Sequence, residues 1–151
     1  MKKYLLIALL IPTLCLAENL FRNSDMETGS GWSGDRRFEK VDENRVMVME
    51  ARKGRTVTCY QDAATRDQKD LILKFRYRTK DYSGRGLQLR GLRQNDSSTF
   101  RNINLKADDQ WHDFEWQFSE IRGSSKIRFS FELLEGEGKV FLDDVVLEPK
   151  P

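Results

Sequence analysis

Carboxylates stand near both ends of this chain in places where they need partners. Asp25 and Glu27 lie in the stretch NLFRNSDMETGSGW, Asn19 to Trp32, just before a glycine-broken turn, and Asp143 and Asp144 interrupt the apolar run VFLDDVVL. A charge set inside an apolar strand is costly unless it is paired, hydrogen-bonded or bound to a cation. Capping of turns and pairing with surface Arg and Lys is the plainer role for the other acids. Residues suited to catalysis are sparse. The one histidine, His112, follows Trp111 at the start of a strand and reads as an exposed turn residue, since no nucleophile motif accompanies it. Gly84-Arg85-Gly86 is too short to cradle a phosphate. With 24 acidic residues, chance carboxylate pairs are certain, so none is singled out as a glycosidase dyad. Cys59 shares a face with Val57 in TVTCYQ and reads as a small buried hydrophobe rather than a reactive thiol. The chain is therefore expected to be non-catalytic. The one enzymatic alternative retained is a lyase that works on anionic glycans through Arg and Tyr.

The first residues read as a targeting segment. Lys2 and Lys3 precede the apolar stretch YLLIALLIPTLCL, and Ala17 supplies the small residue a signal peptidase needs. The apolar stretch is shorter than the ~20 residues that span a bilayer, which favours a cleaved signal over an anchor. The expectation is a signal peptide over 1–17, a single domain over 18–151, and a secreted or periplasmic location with no membrane span after cleavage. Cys15 leaves with the signal, so no disulfide framework supports the domain. The 26 basic residues exceed the 24 acidic ones only through Lys2 and Lys3, so the domain is electrically balanced and nucleic acid is not an expected partner.

Strands must position whatever site exists. DLILKFRYRT sets Leu71, Leu73, Phe75 and Tyr77 against Lys74, Arg76 and Arg78. KIRFSFEL sets Ile127, Phe129, Phe131 and Leu133 against Arg128, Ser130 and Glu132, and WHDFEWQF sets Phe114, Trp116 and Phe118 against Asp113, Glu115 and Gln117. This period of two marks strands with one wet face. Further strands are expected over 38–41, 45–51, 56–61, 87–92, 100–105 and 139–147. Turns are expected at Lys53-Gly54, Ser83-Gly84, 95–98, Asp108-Asp109, Gly123-Ser124 and Gly136 to Gly138, and DAATRDQKD has room for one helical turn. Short strands at regular spacing predict an all-β fold, a sandwich or barrel.

The two ends and one internal strand carry a resemblance. Asn19-Leu20, Asn23, Asp25, Glu27, Gly29 and Trp32 resemble the opening of jelly-roll carbohydrate-binding modules of the family 4, 9 and 22 type, within the galactose-binding-domain-like superfamily. VFLDDV, Val140 to Val145, resembles their last strand, and Trp111-His112-Asp113-Phe114 resembles a strand start near their C-terminal end. Ser24 stands where those modules usually have glycine, and Met26 where they have an aromatic residue. The resemblance implies a jelly-roll β-sandwich of two antiparallel sheets with about 8–10 strands. It also implies a structural Ca2+ held where the first and last strands meet, on the side away from the glycan cleft. The matching positions are Glu27 and Asp143, with Asp25 and Asp144 as alternates and backbone oxygens near 52–54 as further ligands, a mixture that suits a hard cation.

A glycan-binding module presents aromatic rings and hydrogen-bonding side chains. Most aromatics here fall on core phases, which leaves Tyr60 and Tyr82 as candidate exposed rings. The outward phases are polar and basic: Lys74, Arg76, Arg78, Gln88, Arg90, Asn102, Asn104, Arg128 and Glu132, expected to line one sheet. Arg76, Arg78, Arg90, Asn102 and Tyr82 are the candidate ligand-binding residues. Guanidinium forks suit carboxylate- or sulfate-bearing sugars, so an acidic polysaccharide is the expected partner. A jelly roll of the cell envelope that binds another protein and no glycan is the alternative.

Overall fold

The computed structural model describes residues 18–65, 68–93, 98–119 and 125–151. The expected signal peptide with Cys15, and the expected turns at 95–97 and Gly123-Ser124, lie outside the described residues. Among the described residues, ten strands form two five-stranded antiparallel sheets. The first sheet has the order β1 (Ser33–Gly34), β4 (Val57–Ala64), β9 (Lys126–Leu133), β6 (Leu87–Arg93), β7 (Ser98–Ile103). The second has the order β2 (Arg37–Val41), β3 (Asn44–Glu50), β10 (Gly136–Pro149), β5 (Leu71–Gly84), β8 (His112–Phe118). This is the all-β jelly-roll sandwich expected from the sequence. Apart from the β2–β3 and β6–β7 pairs, successive strands change sheet, so each sheet mixes strands from both halves of the chain.

The alternating strands bury their apolar phase between the sheets. Leu71, Leu73, Phe75 and Tyr77 of β5 face Ile127, Phe129, Phe131 and Leu133 of β9 in one core. Phe131 and Phe75 join the two sheets edge to face, with ring centroids 5.2 Å apart. The segment before β1 has no regular structure, yet it plugs this core. The rings of Phe21 and Trp32 pack at a tilt with centroids 5.1 Å apart, and Trp32 reaches Phe131 at 5.6 Å. Met26 is fully buried in the same core, where its flexible side chain fills the space. Cys59 is buried as expected, its Sγ 3.5 Å from Met49 Sδ, and burial pushes its thiol pKa well up, which keeps it inert.

Three local expectations need correction. Asp62, Ala63 and Ala64 continue β4 rather than opening a helical turn, because the ladder to β9 runs on to Ala64↔Lys126. Ser83-Gly84 and Gly136 to Gly138 are strand residues, paired Gly136↔Gly84 and Glu137↔Ser83. Their glycines serve the close approach of two backbones: Gly138 has φ +88°, and a Cβ there would collide with the Asp81 carbonyl. His112 opens β8, half-buried against the Tyr77 ring at 5.3 Å, with Nε2 2.8 Å from Asp108 Oδ1.

The chain's ends are tied together by backbone bonds. Leu20 N–H donates to the Leu147 carbonyl at 2.7 Å, and Val145 N–H to the Ser24 carbonyl at 2.8 Å. Asn19 Oδ1 accepts the N–H groups of Phe21 and Leu147 at 3.0 and 3.1 Å.

Candidate functional site

The outward face of the first sheet gathers side chains from four strands into rows. Strand register sets Tyr60, Ser130, Arg90 and Phe100 side by side across β4, β9, β6 and β7. The neighbouring rows are Thr58, Glu132, Gln88, Asn102 and Asp62, Arg128, Leu92, Ser98. Neighbouring strands lie about 4.8 Å apart, so the central row spans roughly 14 Å between its two aromatic ends. Phe100 is 63% exposed and Leu92 37%, and they are the large hydrophobics left open to solvent among the described residues.

The polar groups on this face are held in place by one another. Arg128 forks onto Asp62, with Nε to Oδ1 at 2.7 Å and Nη2 to Oδ2 at 3.0 Å, while its guanidinium covers the Tyr60 ring at 4.5 Å. The fork holds the Asp62 carboxyl below the usual aspartate range; its partial burial opposes this more weakly. Arg90 Nε lies 3.2 Å from Glu132 Oε1, and Arg90 Nη2 donates to Gln88 Oε1 at 3.3 Å. Gln88 Nε2 donates to Asn102 Oδ1 at 2.8 Å. Fixed donors and acceptors beside the exposed Phe100 ring, with Tyr60 under the Arg128 guanidinium at the far end, offer a chain of sugar rings an apolar face to stack on and partners for its hydroxyls.

The structure separates the candidate residues that the sequence placed together. Arg90 and Asn102 share this face with Gln88, Arg128 and Glu132, while Asn104 lies just beyond β7. Arg76 and Arg78 belong to β5 and face outward from the other sheet, so the nine residues do not line one sheet. There Arg78 is engaged by Asp109 and Asp42, each at 2.8 Å, and Arg76 lies over the Trp111 ring at 4.3 Å. Tyr82 is no exposed ring: it is 8% exposed, and its hydroxyl accepts the Gly86 N–H at 2.8 Å. A register shift in the β5–β10 ladder, with Asp81 at φ +50°, turns it inward. Sequence reasoning missed Phe100. Its signal was parity, because it shares a phase with Asn102.

Of the acidic residues, Asp143 and Asp144 belong to β10 of the second sheet, whereas Asp25 and Glu27 lie in the turn before β1. Asp143 is 4% exposed and sits opposite Arg76 in the ladder. Its Oδ1 accepts the Asp144 N–H at 2.9 Å. Burial pushes its carboxyl above the usual aspartate range. The Asp144 N–H opposes this, the charges of Asp144 and Glu27 add to it, and Arg76 opposes it. Glu27 Oε1 accepts the Arg45 N–H at 3.1 Å. Asp25 caps its own turn by accepting the Glu27 N–H at 3.3 Å, and Asp144, in a bulge at φ +50°, lies 3.6 Å from Arg76. Among the described residues, no three His, Cys, Asp or Glu side chains converge as a metal-binding group.

Solved structures with the same architecture share very little sequence. A family 61 carbohydrate-binding module in complex with β-1,4-galactotriose superposes with a TM-score of 0.71 at 14% identity, over 89% of this chain and 100% of that one. The fold is that of the jelly-roll carbohydrate-binding modules. A family 16 module has a TM-score of 0.68 at 15% identity, covering 85% of this jelly roll and 99% of its own chain. A family 4 module has a TM-score of 0.60 at 19% identity, covering 86% and 84%. No protein-family profile and no curated protein sequence matches the chain. Among the described residues, no helix is long and apolar enough to cross a membrane.

Proposed function

We propose that this jelly roll is a non-catalytic, exported carbohydrate-binding module that holds a polysaccharide across the outward face of its first sheet. The observation that carries the reading is the central row, in which Tyr60 and Phe100 flank Ser130 and Arg90 on that face. A row of this length suits an oligosaccharide rather than one sugar. The likeness to modules that bind glycans supports the same reading. An acidic preference has less support than the sequence suggested, because Arg128 and Arg90 already face Asp62 and Glu132, and a uronate would compete with those carboxylates. Stacking and uncharged hydrogen bonds therefore carry the affinity, and its dependence on salt should be weak.

A structural Ca2+ belongs to the same proposal. What favours it is Asp143: a buried carboxylate with no cationic side chain within ion-pair distance among the described residues, and with Glu27 near enough to raise its pKa. Two carboxylates would have to be completed by backbone carbonyls, an oxygen set that suits calcium. The ion would neutralise the Asp143–Glu27 repulsion and reinforce the junction of the chain's ends.

The test is affinity electrophoresis of residues 18–151 through gels that hold neutral or acidic polysaccharides. Retardation by at least one polysaccharide, weakened roughly tenfold by Phe100→Ala or Tyr60→Ala and unchanged by Arg76→Ala, is the expected result. Retardation that Arg76→Ala abolishes and the two ring variants leave intact would overturn the assignment of the face. Absence of retardation by every polysaccharide would overturn the binding function.

A further inference from the structure

A polar hollow lies where the chain crosses between the sheets, and none of the central row's residues line it. The chain leaves β1 at Gly34 and enters β2 at Arg37, and this crossing, together with Glu50 at the end of β3 and Arg52 just beyond it, encloses about 260 Å³. Arg36, Arg37 and Arg52 line it together with Asp35 and Glu50. Both carboxylates are committed to particular cations. Asp35 is held by Arg55, with Nη2 at 3.3 and 3.0 Å from its two oxygens, and Glu50 by Arg37 at 2.8 Å. Among the described residues, Arg36 and Arg52 form no ion pair.

Arg36 is also fixed in position. Its Nε donates to the Trp32 carbonyl at 2.8 Å, and its guanidinium lies 5.8 Å from the Phe38 ring centroid. The anchor uses Nε and leaves the terminal nitrogens for another acceptor. A guanidinium oriented before its ligand arrives loses little freedom on binding, and its fork matches oxyanion geometry. Two cations without carboxylates of their own, on one hollow, match a dianion with several oxygens.

We propose that this hollow binds a tetrahedral oxyanion, phosphate or sulfate, with Arg36 and Arg52 as its receptors. The anion is either the free ion or an ester group carried by a polysaccharide, and the chemistry of recognition is shared. The site does not depend on the glycan face. It gives the chain a charge-selective contact that the paired arginines of that face do not supply. Binding should relieve the repulsion among the neighbouring arginines, and a ligand that binds only the folded state raises its stability.

The experiment is thermal unfolding of residues 18–151 in millimolar sodium phosphate or sulfate, against sodium chloride at equal ionic strength. A saturable rise in melting temperature is expected with either oxyanion. Arg52→Gln should abolish it, and Arg101→Gln, an exposed change on β7, should keep it. The general stabilisation by sulfate through exclusion from protein surface is not saturable and survives Arg52→Gln, so the two effects separate. Migration through dextran sulfate gels distinguishes the sources. Retardation that depends on Arg52 assigns the anion to a polymer ester, whereas a response to the free ions alone assigns it to the free ion. A response no larger than that to chloride, or one that Arg52→Gln retains in full, overturns the proposal. Loss of neutral-polysaccharide binding by the Phe100 and Tyr60 variants with the ion response intact would show that the two sites stand or fall separately.

Discussion

Phe100 and Tyr82 show how far a single residue can be read from sequence. The alternation that turns Asn102 outward turns Phe100 outward too, so its exposure was legible. The general rule that aromatics fill cores hid it. Tyr82 was not legible, because its inward turn depends on a ladder irregularity that no local pattern announces. Two aspartates carry opposite predictions. The Arg128 fork lowers the Asp62 pKa, so its contribution to stability is present above the ordinary value of 3.8 and is lost as pH falls through the folded value. Burial raises the Asp143 pKa, so its favourable contribution is present at low pH and is lost as pH rises through its folded value. Carboxyl NMR titration in chelator should place the Asp62 midpoint below 3.8 and the Asp143 midpoint above it. Arg128→Gln should move the Asp62 midpoint upward. An Asp143 midpoint at or below the ordinary value would refute the account of its burial.

Strand existence was legible wherever one face is apolar, as in Leu71–Tyr77 and Ile127–Leu133. Strand ends were not. Glycines at 84, 136 and 138 looked like punctuation, but they belong to the end of the β5–β10 ladder, where the two backbones come too close for side chains. The two-residue β1 has no pattern to read. Gly138→Ala should therefore cost about 1–3 kcal/mol, since it adds a collision to a positive φ. Chemical denaturation should show the lower midpoint without a change in slope. Gly54→Ala, in an exposed turn with open space around it, has the positive φ alone and should cost less. Equal costs at the two positions would mean that the close approach of β5 and β10 is not what demands glycine.

At the scale of the molecule, the resemblance at the two ends supplied the architecture, because periodicity alone left sandwich and barrel open. It did not supply strand order, and strand order decides the site: Arg76 and Arg90 were read as neighbours and lie on opposite sheets. The proposed cation makes a prediction at this scale too. Asp143→Asn should lower the melting temperature in calcium, by several degrees for a domain of this size if the ion contributes 1–2 kcal/mol. In chelator the same change should not lower it, since it removes a buried charge. Equal losses in both conditions would sink the calcium proposal.

The bonds from Asn19 and Leu20 to Leu147 have a topological consequence. They set both ends of the sandwich at one place, so the order in which the strands are synthesised is not required by the way they pack. A circular permutant, opened at the exposed Lys53-Gly54 turn and closed by a short glycine–serine linker between residues 18 and 150, should reach the same two sheets. For a fusion designer, the same geometry means that the sandwich can be spliced into a host loop as a single insert, with both junctions on one side.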